Sequence, residues 1–466
     1  MKYVLPACAV GALLSLWILP SAPLHDQWAW IVWGRELVHF DLDASAGPAW
    51  KPLPVVITAV LSLFGSAAPS LWLAVARFGG LLALCLGFRL AARFAGWPAG
   101  VVAVIALLSA WLRNVSLGFA EGLLVALLLW AVERHLDGKR SQALLLGFAA
   151  GLIRPEVWPF LGLYALFLWL REPKLRVLSA ALLLLTPVLW FAPDAFLAGE
   201  PLRSTQEAEA ATTSVGAADV LRTTYDLVPL PVHLAALAAV LLAWRRREWA
   251  VVVLGAGAAG YFLVEVGLTV VGGFEGVARF LYPVLAIESV LAGVGVAWLA
   301  EGAAAWLTLR VRDKELAAKA PRIAAVAIVI AAVPVGALRV ARLVDQLEPT
   351  TARHRFYEDL SDAVDATGGW KRVEACGGRA FASQAQAPAI AWRLDVHIPQ
   401  IRSRARPPGI VYRVNPRDGR RIVSDVLPVQ RVSTRKGKFR RIEKSGPWEV
   451  LGDCRGTPGA TSSSSR

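Results

Sequence analysis

The stretch LPSAPLHDQWAWIVWGRELVHF, residues 19–40, decides how the rest of the chain is read. A strongly apolar segment ends at Pro20. Five residues later begins the pair His25-Asp26, and three tryptophans follow at once. A chain that leaves a lipid bilayer and immediately presents a carboxylate on a tryptophan-rich helix is preparing a polar surface at the membrane boundary. Trp gathers at that boundary because its ring is apolar and its N–H is not.

Composition supports the bilayer. Of 466 residues, 56% are hydrophobic and 18% charged, and mean hydropathy is +0.51, more apolar and less charged than soluble domains. The 19 tryptophans point the same way. Net charge is +14, carried by loops and by the last 120 or so residues, which suits anionic lipid or a phosphate-bearing substrate and not nucleic acid. The preponderance of Arg over Lys and a single Met suggest a GC-rich bacterial genome.

A membrane helix needs about 20 apolar residues. Segments of this kind lie at 3–20, 69–92, 97–113, 121–135, 141–153, 157–170, 177–193, 230–244, 249–271, 281–300 and 323–344. The first reads as an uncleaved helix, because further spans follow. With the amino terminus inside, the basic clusters RHLDGKR, REPKLR, WRRRE and RVRDKELAAKAPR fall in cytoplasmic loops, as the positive-inside rule requires. That bookkeeping holds only if KPLPVVITAVLSLFGS, residues 51–66, does not cross. Its Pro-Leu-Pro start and modest length suit a helix lying in the outer interface. The fold class expected is therefore a polytopic α-helical membrane protein with about 11 spans. Residues 1–345 form the transmembrane domain, whose first outer loop, 21–68, carries interfacial helices at 26–40 and 51–66.

The character changes from about residue 346. RHRFYEDLSDAVDATGGWKRVEACGG reads as an amphipathic helix, a Gly turn and a strand, and AIAWRLDVHI, GIVYRVNP and WEVLGDC read as further strands. A small extracytoplasmic α/β domain, 346–455, is expected, followed by a disordered tail at 456–466. Cys376 and Cys454 sit near opposite ends of that domain and suggest a disulfide made in an oxidising compartment; two free buried thiols are the alternative. No internal repeat, metal-ligand spacing, P-loop or dinucleotide loop is present, and no cofactor is indicated.

This topology sorts the unusual charges onto one face: Asp26, Lys51, Arg77, Arg113, Glu121, Arg154, Glu156 and Arg279. Charges at the edges of apolar spans are costly and mark cavities, partners or substrates. Asp26 reads either as a helix cap or as a general base, and His25 as a group that orients it, binds an acceptor or is merely solvated. Arg154 and Glu156 in GLIRPEVWPF read as an intramembrane salt bridge or an interface anchor, with Arg154 a lesser candidate to bind an anion. Arg113 and Glu121 bracket the short turn RNVSLGFAE. Arg279 in GGFEGVARFLYPVLAIES follows a glycine-rich stretch and precedes Tyr282-Pro283. Its planar fork suits phosphate, and snorkelling to the interface is the plainer alternative.

Taken together, these residues resemble the GT-C superfamily of integral membrane glycosyltransferases, which use polyprenyl-phosphate sugars. The family's acidic first outer loop and Lys-Pro or Pro-Pro-like interfacial helix look like HDQWAWIVWGRELVHFDLDASAGPAWKPLPVVITAVLSLFG. Its Arg-opened span looks like VARFGGLLALCLGFRLAARFAG, its second acidic outer residue like Glu121, and its late Arg before Tyr-Pro like Arg279. The likeness covers roughly residues 1–300. The layout also has some likeness to mycobacterial arabinofuranosyltransferases, an actinobacterial type with a larger carboxyl-terminal domain. His-Asp-Gln stands where an Asp-Glu or Asp-Asp pair is commoner, so a two-carboxylate or metal-bearing site is not implied.

The resemblance implies a sugar moved, with inversion, from a polyprenyl-phosphate donor to a glycan, lipid or protein acceptor on the outer face of the cytoplasmic membrane. Asp26 would be the base. Arg279, with Arg154 and Arg77, would hold the phosphate. His25, Lys51, Glu121, Glu156, Arg113 and Tyr282 would support the substrates. The competing classes are an O-antigen-type ligase or polymerase, expected to rely on a late outer loop, and a transporter, expected to use midplane charges and inverted repeats.

Overall fold

Gly96 divides what would otherwise be one very long helix. In the computed structural model Ala68–Ser116 runs for 49 residues, but Ala95 (φ −145°, ψ 26°) and Gly96 (φ 77°, ψ 172°) leave helical geometry, two residues before Pro98. The left-handed φ suits glycine, and proline cannot donate to the preceding turn. The break falls where the sequence separates the spans 69–92 and 97–113. The structure describes residues 1–210, 217–271, 278–309, 314–345, 347–415, 433–434 and 439–454.

Among these residues five helices are long and apolar enough to cross a bilayer: Gly65–Leu108, Pro173–Ala198, Trp249–Val270, Ala278–Thr308 and Arg322–Ala341. Ala218–Leu227 and Leu230–Arg246 form a pair bent by 94°. Other spans read from the sequence are shorter helices, Val4–Ile18, Glu121–Leu136, Arg140–Gly151 and Trp158–Arg171, of 15, 16, 12 and 14 residues. The protein is a polytopic α-helical membrane protein with a small α/β carboxyl-terminal part. Pro52–Ser62 has 11 residues. At about 1.5 Å per residue it spans roughly half of the bilayer's hydrocarbon core.

The chain divides into two compact units. One comprises Met1–Leu14, Ala74–Trp190 and Thr205–Asp345. Its centre is the helix Tyr282–Thr308, buried along most of its length. Small residues allow helices to approach closely here: a Cβ added at Gly293 would lie 2.2 Å from the Ala99 carbonyl oxygen, and one at Gly295 would lie 1.9 Å from that of Ala235. Near the basic cluster RHLDGKR, Arg89 pairs with Glu133 and Arg93 with Asp137, each at 2.6 Å.

The other unit comprises Ser15–Leu73, Phe191–Ser204 and Gln346–Arg466, so the segment after the first helix shares a unit with the carboxyl-terminal segment. The helix His25–His39 packs on Pro52–Ser62: Thr58 Oγ1 donates to the Trp30 carbonyl at 2.6 Å, and a Cβ at Gly34 would lie 2.5 Å from the Thr58 backbone. Trp28, Trp30 and Trp33, expected to face the lipid interface, are instead buried inside the protein. Each rests on a different element: Trp28 on Tyr357, Trp30 edge-on against Trp72, and Trp33 on Trp50, with ring centroids 5.4–5.6 Å apart. WAWIVW is apolar on every side because this helix is covered on several sides.

The carboxyl-terminal strands are β1 (Ala380–Phe381), β2 (Ile401–Arg402), β3 (Arg404–Ala405), β4 (Gly409–Val414), β5 (Ser433–Thr434), β6 (Arg440–Ser445) and β7 (Trp448–Asp453). Five form a mixed sheet in the order β2-β1-β4-β7-β6; β1 is parallel to both its neighbours, and β7 is antiparallel to both of its own. The helix Leu347–Ala366 packs on β6 and β7, where the Trp448 indole N–H donates to the Phe356 carbonyl at 2.8 Å. Cys376 and Cys454 form a disulfide.

Two expected strands are helices. WKRVEA lies in the helix Gly369–Ala375, and AIAWRL lies in Ala387–Leu394, whose second residue is Pro388. Its buried face, Ala387, Ile390, Ala391 and Leu394, has helical spacing. The alternation read as a strand was too short to outweigh that spacing and the proline start.

Candidate active site

In the first unit, four of the expected residues meet at helix ends. Arg154 precedes Pro155, which forces it into extended backbone (φ −143°, ψ 128°) and ends the helix Arg140–Gly151. The tight turn Pro155–Val157 brings Glu156 back onto it: Arg154 Nε donates to Glu156 Oε2 at 3.1 Å and Nη2 to Oε1 at 2.6 Å. Arg154 Nη1 lies 3.6 Å from Oε1 of Glu121, the first residue of Glu121–Leu136. Arg279, in the turn Ala278–Leu281, has its Nε 3.9 Å from the same Glu121 oxygen.

Aromatic faces support both cations. The Arg154 guanidinium lies 3.5 Å from the Phe280 ring centroid. That of Arg279 lies 5.3 Å from Phe280 and 4.8 Å from Phe119. Stacking of this kind strengthens a desolvated guanidinium's hold on its place. Arg154, Glu121 and Glu156 are buried, whereas the Arg279 side chain is 24% exposed. Arg154 has its fork engaged by Glu156, and Arg279 stands on the accessible side of the cluster. Tyr282, the next helix's first residue, is buried. Arg77 is buried on Ala68–Ser116 and donates to the Ser116 carbonyl at 3.3 Å. The Arg113 side chain lies outside the described residues.

In the second unit, Asp26 is the second residue of His25–His39, with its side chain 28% exposed and Oδ1 3.4 Å from His25 Nδ1. It is not the residue that caps the helix: Leu24 holds that position, and its N–H donates to the Gln27 side chain at 2.9 Å. A carboxylate in the first turn is favoured by the helix dipole and remains open to solvent. Lys51 precedes Pro52–Ser62, with Nζ 5.1 Å from the Trp30 ring centroid.

No protein-family model matches the chain, and no curated protein matches it. Solved structures do. ArnT from Cupriavidus metallidurans, bound to undecaprenyl phosphate, aligns with a TM-score of 0.61 at 13% identity, over 97% of this chain and 97% of that one. The apo state of the same protein aligns with a TM-score of 0.60 at 14% identity and the same coverage. The chain shares the fold of this protein. At this identity the likeness is one of fold, and it extends through almost the whole of both chains.

Sequence reasoning passed over two residues of the charged cluster. Glu265 and Tyr261 lie one turn apart on Trp249–Val270, both buried. Arg154 is within electrostatic reach of both. Glu265 Oε1 and the Tyr261 hydroxyl have no hydrogen-bond partner among the described residues. Glu121, Glu156 and Glu265 thus stand around Arg154, and Glu121 also faces Arg279. The signal was present in GYFLVEVGLTV, residues 260–270: a lone carboxylate in an apolar span is expensive and points to a cavity or a partner.

Proposed function

We propose that this protein is a membrane glycosyltransferase that takes a sugar from a polyprenyl-phosphate donor and delivers it to an acceptor hydroxyl on a cell-envelope glycan, lipid or protein. The observation that carries this reading is the stacked cluster of Arg154 and Arg279 around Phe280, in a fold shared with a protein crystallised with undecaprenyl phosphate. A prenyl phosphate places an anion at the end of a lipid-embedded tail, and a guanidinium at the end of apolar helices meets it there. Arg279 binds the phosphate. Arg154, gripped by Glu156 and close to Glu121, fixes the shape of the cluster, and Arg77 and Tyr282 are further candidates to hold the donor.

Asp26 is the general base. Its carboxylate takes the proton of the acceptor hydroxyl as that oxygen attacks the anomeric carbon. The bond from that carbon to the phosphate oxygen breaks, polyprenyl phosphate leaves, and the anomeric centre inverts. His25 and Lys51 support the acceptor side. The reaction takes place on the outer face of the cytoplasmic membrane, where the first loop and the carboxyl-terminal domain both lie.

The test is incubation of the protein in nanodiscs with polyprenyl-phosphate sugars of several headgroups and envelope extract as acceptor. Release of polyprenyl phosphate, with inverted product configuration by NMR, is expected. Binding without turnover of any donor, or a retained configuration, contradicts the mechanism.

A further inference from the structure

At its carboxyl-terminal end, the helix that carries Asp26 is gripped by three consecutive residues from the far end of the chain. Arg35 Nη1 donates to Asp395 Oδ1 at 2.6 Å and Nη2 to the Val396 carbonyl at 2.8 Å, while its guanidinium lies 5.4 Å from the Trp392 ring. The next residue, Glu36, is buried, with Oε1 2.9 Å from His397 Nδ1 and Oε2 accepting from the Asp43 amide at 3.1 Å. Asp395 reaches Arg35 because it closes the helix Ala387–Leu394 in a left-handed conformation, φ 57°.

We propose that the turn Asp395–His397 is a positioning clamp for the catalytic helix, set through Arg35 and Glu36, and that it loosens as pH rises through the acidic range towards neutrality. The proposal rests on the function given above, in which Asp26 is the base. A helix is stiff, and Asp26 lies nine residues from Arg35, about 14 Å along the axis. A tilt of only a few degrees at the clamp therefore moves Asp26 by about 1 Å, a misplacement that can cost about 10²-fold in rate. Arg35 and Glu36 act through Asp26 and are positioning residues.

The pH dependence follows from what faces Glu36. Burial pushes its carboxyl up from an ordinary 4.5 to about 7, against the opposing pull of the Asp43 amide, His397 and Arg35. Around it stand His39, with Nδ1 2.8 Å from the Arg35 carbonyl oxygen, and Asp41, with Oδ2 3.9 Å from His397 Nε2. Pro52–Ser62, packed on the same helix, carries no titratable side chain. Arg393 of Ala387–Leu394 is drawn to Asp365, Asp362 and Glu358. A carboxyl raised in the folded state gives stability that is complete below its ordinary value and is lost as pH rises through the raised one. The window is therefore about 4.5 to 7, with opening increasing by up to tenfold per pH unit and levelling off above.

The experiment is hydrogen exchange of amides 25–39 in the full chain in nanodiscs, corrected for intrinsic rates, from pH 5 to 7.5. Opening of the helix should rise about tenfold or more across the window and then level off. Glu36→Gln, which cannot ionise, should flatten the profile. Arg35→Ala and, if that variant folds poorly, Asp395→Asn should raise exchange at every pH and lower kcat while leaving the donor KM unchanged. A flat wild-type profile, or an unchanged slope in Glu36→Gln, overturns the clamp. Exchange is read without turnover, so failure of the glycosyltransfer reading leaves this profile intact, and failure of the clamp leaves the effect of Asp26→Asn intact.

Discussion

Arg154 and Glu156, two residues apart, face each other as a two-point pair, Nη2 to Oε1 at 2.6 Å and Nε to Oε2 at 3.1 Å, with both side chains buried. Proline between them makes this possible by turning the chain sharply where a helix would have sent the two side chains apart. Removing one partner leaves the other charged and desolvated. Arg154→Met should cost about 3–5 kcal/mol of stability, the range for breaking a buried pair. Thermal unfolding in detergent reads this directly, and a loss below about 1 kcal/mol, the value of a surface pair, argues that the cluster is solvated.

Arg279 is partly exposed and should behave differently. Arg279→Lys keeps the charge and loses the fork, so binding of polyprenyl phosphate should weaken by about tenfold, the value of roughly one charge-assisted hydrogen bond, with the melting temperature little changed. Titration with the sugar-free lipid phosphate measures it. Equal affinity in Arg279→Lys and Arg279→Ala variants, both matching the parent, removes the residue from the site.

The disulfide joining Cys376 and Cys454 ties the beginning of the sheet to its end, across 78 residues. In the chain-entropy account a loop of that length contributes about 4.5 kcal/mol by restricting the unfolded chain. Cys454→Ser should therefore lower the unfolding temperature of the carboxyl-terminal segment, with the helical signal less affected. An identical melt with and without reductant contradicts it.

The membrane character, the break near Gly96 and the charges at the ends of apolar segments were legible because each follows from local rules: span length, glycine and proline geometry, and the cost of charge in lipid. The two mistaken strands were short, and the helical spacing of AIAWRL became evident only through the face it buries. The burial of Trp28, Trp30 and Trp33 was not legible either. It depends on Tyr357, Trp72 and Trp50, one of which lies more than 300 residues away in sequence. Glu36 and His397 are joined by the same long-range packing. Glu265 could have been found, since a carboxylate within an apolar span is a local signal.

The account depends most on Asp26. Asn nearly matches Asp in size, and Leu24 holds the cap, so Asp26→Asn leaves the helix start intact while removing the negative charge and with it the ability to take a proton. The decisive measurement is single-turnover release of polyprenyl phosphate by Asp26→Asn protein whose melting temperature and donor affinity equal the parent's. The mechanism predicts a rate lowered by about 10²–10⁴-fold, the usual contribution of a general base. A rate within about threefold of the parent, far short of that range, contradicts it and transfers the base to another carboxylate.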